Sequence, residues 1–319
     1  MDTTITRKRK RLREPNPLLV KELRGRMRGA RAFVVLTIYL LLLSCLTSVI
    51  YFAYITSSDG PAPPNLSEAG LVIFSTVVLL ELFIVTFITP AFTAGAITGE
   101  RDRQTYELLR ATLLPARDLV MGKLTSALTY VGLLILAAIP LEGLAFMLGG
   151  VTPEDLILAL VVTVVTAFSF AVIGLFFSAI MKSTLSATVL SYGMALLITV
   201  GLPIILLFTF GVLGEPLIFG YSSNPVPLIV RTLLFYTVYV LANLSPVVAA
   251  VITKVVLINE SAIWVFWLDI GSTYSSTAPT AATKIPVPSG WVVYTLIYLS
   301  LALILLVTTT HIVRRQEMK

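Results

Sequence analysis

The chain has 319 residues, of which 57% are apolar and 13% charged, and its mean hydropathy is +0.93. That balance excludes a soluble domain of ordinary composition and identifies an integral membrane protein. The formal net charge is +6, and a single cysteine, Cys45, excludes an intramolecular disulfide framework.

Residues 1–32 form a basic leader that opens with Arg7-Lys8-Arg9-Lys10-Arg11. From Pro15 to Arg31, Leu19, Leu23 and Met27 recur at every fourth position, while Lys21, Arg24, Arg28 and Arg31 fall on a different face. The spacing predicts an amphipathic helix on the membrane surface, suited to binding anionic lipid head groups and fixing the entry angle of the next segment. The apolar run after it is too long for a signal peptide and has no small-residue cleavage site, so it reads as a retained span.

Six runs reach the ~20 residues that cross a bilayer: 33–56, 70–96, 124–148, 155–181, 185–212 and 291–312. The predicted fold is therefore all-α, a polytopic helical membrane protein whose residues 33–319 make one transmembrane domain. An even number of spans puts both termini on one side, and 20 of the 23 Lys and Arg residues fall on that side. Only Arg231, Lys254 and Lys284 fall on the other. The positive-inside rule then predicts cytoplasmic termini in a multi-pass protein of the cell membrane.

Two acidic residues lie within spans, Glu81 near the middle of the second and Glu142 toward the outer part of the third. Ionisable groups at this depth are costly and tend to face a protein interior or a water-filled path, which makes both candidates for a substrate route. The alternative for each is an acid hydrogen-bonded between helices in a packing role.

Between the second and third spans, residues 97–123 form a charged island. Thr105 is placed to cap a short helix that Pro115 limits to about 105–113. Leu108, Leu109 and Leu113 give that helix an apolar edge, with Glu107 and Arg110 on other faces. A helix so patterned can insert into a groove of another protein.

In the fifth span Ser183, Ala187, Ser191 and Ala195 place small residues at every fourth position, a face along which helix backbones approach closely in lipid. Pro90, Pro140 and Pro203 are expected to kink or end their helices. Residues 213–290 form an outer segment in which the run 228–258 is broken by Asn243-Leu-Ser-Pro246. Proline removes a backbone donor and asparagine favours a turn, so this run predicts a re-entrant hairpin with arms of ~15 residues, short for a crossing. Two short true spans are the alternative. Trp264 and Trp267 suit the outer interface, and Tyr274 to Gly290 reads as an exposed loop.

No phosphate-cradling loop surrounds Gly122-Lys123, and His311 and Cys45 are the only residues of their kinds. The sequence thus offers no catalytic site, no zinc site of ordinary ligands and no nucleotide site of its own.

The island resembles the cytoplasmic link of ABC-2-type transporter permeases. The resemblance rests on Glu100, Arg101, Arg103, Thr105, Glu107, Leu108, Leu109, Pro115, Gly122 and Lys123, with Gln104 where the family usually has glycine. Asn16-Pro17-Leu18 followed by Lys21-Glu22-Leu23-Arg24 resembles the elbow helix with which such permeases begin. The resemblance implies the membrane subunit of an export-class ABC transporter, docked through Glu100 to Leu109 and Pro115 onto a separate ABC ATPase that binds the ATP. It also implies a second permease subunit, identical or homologous, and contact with membrane lipids, without nucleic acid or a cofactor. A carrier or channel driven by an ion gradient and a non-transporting membrane scaffold are the competing classes.

Overall fold

A computed structural model describes residues 30–57, 65–104, 115–209, 211, 227–260, 262–269 and 284–317. Among them six helical segments are long and apolar enough to cross a membrane. The first is α1 (Ala30–Ser57). The second is α2 (Leu66–Thr93), which continues through a turn into the short α3 (Thr98–Asp102). The third and fourth are α4 (Ala116–Leu148) and α5 (Pro153–Ile180). The fifth comprises α6 (Thr184–Leu196), a wide π-turn at Leu197–Gly201, and α7 (Leu202–Thr209). Beyond these come α8 (Leu228–Ala242) and α9 (Pro246–Glu260), strands β1 (Val265–Asp269) and β2 (Lys284–Pro288), and the sixth span, α10 (Gly290–Glu317). The predicted elbow helix lies outside the described residues up to Ala30.

Two of the boundaries have a clear local cause. Helix α5 begins with a capping box, in which the Thr152 hydroxyl accepts from the Asp155 N–H and the Asp155 carboxylate accepts from the Thr152 N–H, with Pro153 at the first helical position. Helix α4 ends at Gly149 (φ +96°) and Gly150 (φ +76°), both left-handed. A Cβ on Gly150 would stand 2.0 Å from the Ser67 carbonyl oxygen, so glycine is what lets this turn seat against the start of α2.

Helix α5 is the centre of the bundle, with 61% of its apolar window buried, against 11% for α1 at the periphery. The largest core cluster joins Leu43 of α1, Phe74 and Leu82 of α2, Leu134 of α4, Phe170 of α5, and Tyr294 and Tyr298 of α10. Polar contacts between spans add to this packing, such as that of the Thr166 and Tyr294 hydroxyls at 2.8 Å. Packing of this kind carries helix association in lipid, where apolar burial by itself supplies little. Outward from it, α1 and the fifth span present exposed Phe33, Ile38, Phe52, Leu185, Val189, Leu207 and Phe208.

The break at Asn243-Leu-Ser-Pro246 forms as the residue types predict, and the arms α8 and α9 are bent by 118°. Its tip is held by polar contacts. The Tyr298 hydroxyl donates to the Leu244 carbonyl, and Ser245 donates to the Thr199 carbonyl at 3.4 Å. Thr199 lies four residues before Pro203, which has no N–H to offer, so the hairpin tip meets the fifth span where its ladder is interrupted. A Cβ on Gly290 would lie 2.7 Å from the Asn243 side-chain oxygen and 2.9 Å from the Ala249 carbonyl oxygen. Changing Gly290 to alanine is therefore expected to unseat the hairpin from α10. Limited proteolysis of the segment between α7 and α10 should become faster in that variant; an unchanged cleavage rate would mean that the tip accommodates the methyl group.

One element departs from the expected exposed loop. Residues 284–288 form a strand paired antiparallel with β1, Phe266 opposite Val287 and Leu268 opposite Ile285. Val287, Ile285 and Phe266 are buried with Tyr239 and Val256 of the hairpin arms, so the ribbon closes over the hairpin. The Tyr239 hydroxyl donates to the Pro288 carbonyl at 2.6 Å. Proline is tolerated because a two-stranded ribbon consists only of edge strands. Trp264 and Trp267 are exposed, and Trp264 packs on Trp291 with ring centroids 4.9 Å apart.

Candidate functional site

The island residues that the structure describes are turned onto the ends of neighbouring helices. Where α2 gives way to α3, the Ile97 and Thr98 N–H groups donate to the Ser178 hydroxyl in the last turn of α5, at 2.9 and 3.2 Å. Arg101 donates to the carbonyls of Met181 (3.1 Å) and Ala179 (3.4 Å). These are terminal carbonyls of α5, without helical partners and at the negative end of the helix dipole, where a guanidinium is favoured on both counts. Asp102 does the converse at α6, where it accepts from the Thr184 N–H at 3.2 Å and from the Thr184 hydroxyl. An anion at a helix N-terminus is the complementary arrangement.

Glu100 pairs with Lys123 of α4 at 3.3 Å, and the Lys123 side chain is only 3% exposed. Ile97 is buried in a cluster with Leu119, Val120 and Leu124 of α4, Leu175 of α5 and Val313 of α10. Three consecutive charged residues thus join the end of the second span to the third span, to the C-terminus of the fourth and to the N-terminus of the fifth. Arg103 is exposed beyond this knot. Gln104, in the position where the resembled family has glycine, takes φ +58°. The left-handed region costs a side-chain-bearing residue about 1–2 kcal/mol, partly offset in a glycine variant by its larger unfolded-state entropy of about 0.5–1 kcal/mol. Gln104→Gly is accordingly expected to raise the unfolding midpoint slightly, by roughly 0.5–1 kcal/mol of stability. A lowered midpoint in thermal unfolding would show that the glutamine side chain holds the turn.

Thr105, Glu107, Leu108 and Leu109 lie outside the described residues. Pro115 is the N-cap residue of α4, with extended backbone (φ −66°, ψ 144°).

Within the bundle the two intramembrane acids come together. Glu81 is 2% exposed and Glu142 6% exposed, and the two carboxyl groups sit in the same interface of α2 with α4, near enough to interact electrostatically. Glu81 Oε1 is buried without a hydrogen-bond partner, as is the Tyr39 hydroxyl of α1. Spans one, two and three meet at this polar group within an otherwise apolar core.

The small residues of the fifth span face inward. Ser183 caps α6 by accepting from the Ser186 N–H at 3.3 Å, and Ala187, Ser191 and Ala195 are fully buried. Sequence reading took Ser178, with Gly174, only as a small-residue packing position, and did not single out Asp102, Thr184, or the ion pair of Lys254 with Asp155 at 2.7 Å. The Thr-Xaa-Xaa-Asp spacing from Thr152 to Asp155 was the one available signal, as a capping box. The others act across separations of about 80 residues and leave no local pattern.

Residues 17–218 match the family model of the ABC-2 family transporter proteins. The match begins in the basic leader and takes in the first five spans, the island and both buried acids. No curated protein matches the chain.

Proposed function

This chain belongs to the ABC-2 transporter family, as a multi-pass ABC transporter permease, and we propose that it is the export-class membrane subunit driven by a separate ABC ATPase. The observation that carries the mechanism is the knot at residues 97–102. A force applied to the link after Gln104 meets Arg101 and Asp102, which hold the ends of the fourth and fifth spans, and Glu100, which holds the third. The link therefore acts on several spans as one body.

In this reading the predicted helix at 105–113 seats Leu108 and Leu109 in a groove of the ATPase. Arg103, Thr105, Glu107 and Pro115 frame it. Closure of the ATPase dimer on ATP draws two such links together and rocks the spans between inward-open and outward-open arrangements. The second link comes from a second permease subunit, identical or homologous, packed against the exposed apolar face of α1 or of the fifth span. The chain itself contributes no catalysis and no cofactor, and ATP stays on the partner. Both termini lie in the cytoplasm, the basic leader rests as an elbow on anionic lipid, and the hairpin with its ribbon faces outward. The 20 to 3 distribution of Lys and Arg supports that sidedness. The acid pair of the second and third spans is the part of the protein interior assigned to the substrate route.

Co-purification tests the docking. Leu109→Asp should abolish recovery of the ATPase with the permease while membrane insertion stays intact. Recovery at the wild-type yield would place docking elsewhere. Sidedness is tested in a Cys45→Ala background with an impermeant thiol reagent on intact cells. A cysteine at Ser275 should be labelled and one at Thr4 protected; the reverse pattern would invert the topology.

A further inference from the structure

A crevice of about 150 Å3 lies between the second span, the fourth span and the second arm of the hairpin. Its walls are Phe74 and Val78 of α2, Leu158 and Val162 of α5, and Ala250 and Val251 of α9, and one side is open. From Asp155 to Val162 the apolar wall runs about 10 Å along α5, at 1.5 Å per residue. Its polar end is the ion pair of Lys254 with Asp155, in the first turn of the fourth span.

The ion pair is incompletely used. Asp155 Oδ2 accepts from Lys254 (2.7 Å), the Thr152 N–H (2.9 Å) and the Thr152 hydroxyl (3.1 Å), whereas Oδ1 is buried without a donor. The Lys254 ammonium, 5.7 Å from the Phe74 ring centroid, has three hydrogens, of which Asp155 engages one. The polar end therefore offers an acceptor lacking a donor beside a cation with donors to spare. Below it lies room for one benzene-sized apolar group, a volume that stays dry when lined by hydrocarbon.

We propose that this crevice holds a phospholipid whose head group carries N–H donors, a phosphatidylethanolamine, with its phosphate on Lys254, its ammonium on Asp155 and part of one acyl chain between α2, α5 and α9. A zwitterion of this kind meets both vacancies at once. A choline head group has no N–H and leaves Asp155 Oδ1 unmet. A peptide segment would bring backbone donors and acceptors that this wall cannot satisfy. The open side lets the remainder of the chain lie in the bilayer, so the lipid wedges the hairpin arm against the bundle. The site stands independently of the ATPase partner and of the direction of transport.

Intact-protein mass spectrometry of the delipidated, detergent-solubilised chain tests this with phosphatidylethanolamine and phosphatidylcholine of the same acyl composition. One phosphatidylethanolamine should be retained with at least a tenfold preference over phosphatidylcholine. Ala159→Phe, which fills the crevice without touching the ion pair, and Lys254→Met should each abolish the preference. A phosphatidylethanolamine with a photoreactive acyl chain should cross-link, in the unaltered protein, to peptides containing 155–162 and 250–257, a result that does not depend on any variant folding. Equal retention of the two lipids, retention unchanged in Ala159→Phe, or cross-links confined to other segments would overturn the proposal.

Discussion

Replacing Arg101 by methionine is expected to cost roughly 2–4 kcal/mol of stability and to disconnect the link from the fourth span without preventing ATPase binding. The guanidinium makes two charge-assisted bonds to terminal carbonyls of α5. Methionine keeps most of the apolar stem but leaves both carbonyls without that donor and removes a cation from the negative end of the helix. Lysine in the same place restores the charge but not the fork, because an ammonium cannot span the two carbonyls as a planar group does. The expected order of unfolding midpoints is wild type, then Arg101→Lys, then Arg101→Met. In the complex, ATPase recovery should stay near wild type for both variants while the effect of the permease on ATP turnover is lost in Arg101→Met. If recovery is lost instead, Arg101 belongs to the docking surface rather than to the force-bearing knot.

The buried acids give the second large effect, and its size depends on whether one or both are changed. Glu81→Gln keeps a donor and an acceptor at the same position, so folding should be preserved. Glu81→Leu leaves the Glu142 carboxyl in the apolar core of spans one to three without its partner. The cost of such an orphaned group is about 1–3 kcal/mol, and more where it carries charge. Changing both residues to leucine removes the orphan as well as the pair, and the double variant should recover most of the stability lost in the single one. A double-mutant cycle on unfolding midpoints measures the coupling directly. Glu81→Gln is then the informative variant for function, because it keeps the size and hydrogen-bonding capacity of the side chain and removes its acidity. Altered transport or substrate-stimulated ATP turnover at unchanged stability places the pair on the route. Wild-type kinetics in Glu81→Gln and in the double leucine variant would leave it a packing element.

Length and composition made the spans legible, since a run of some 20 apolar residues has few other uses in a chain of this hydropathy. The hairpin was legible for a different reason. Asn243 and Pro246 interrupt an otherwise continuous run, and both act locally on the backbone. The ribbon was not, because Ile285-Pro286-Val287-Pro288 alternates in the manner of a strand but carries the residue that most argues against one. Only the partner strand, about 20 residues earlier, decides between the readings. The charged island shows the same limit. Glu100, Arg101 and Asp102 read along the chain as solvated charges or as a docking surface, yet each is directed at a helix end or a lysine that sequence spacing cannot bring near. Glu81 and Glu142 were visible as costly residues, but their meeting depends on the register of two antiparallel spans, which one sequence does not encode in any local pattern.

The central claim is that the link between the second and third spans joins this permease to an ATPase. A photoreactive amino acid placed at Leu109 in the full-length chain, activated in native membranes, tests it most directly. The account predicts a single dominant adduct with a nucleotide-binding ATPase subunit, weakened when Arg103 and Glu107 are replaced together by alanine. Adducts only with lipid, or with a protein that binds no nucleotide, would contradict it.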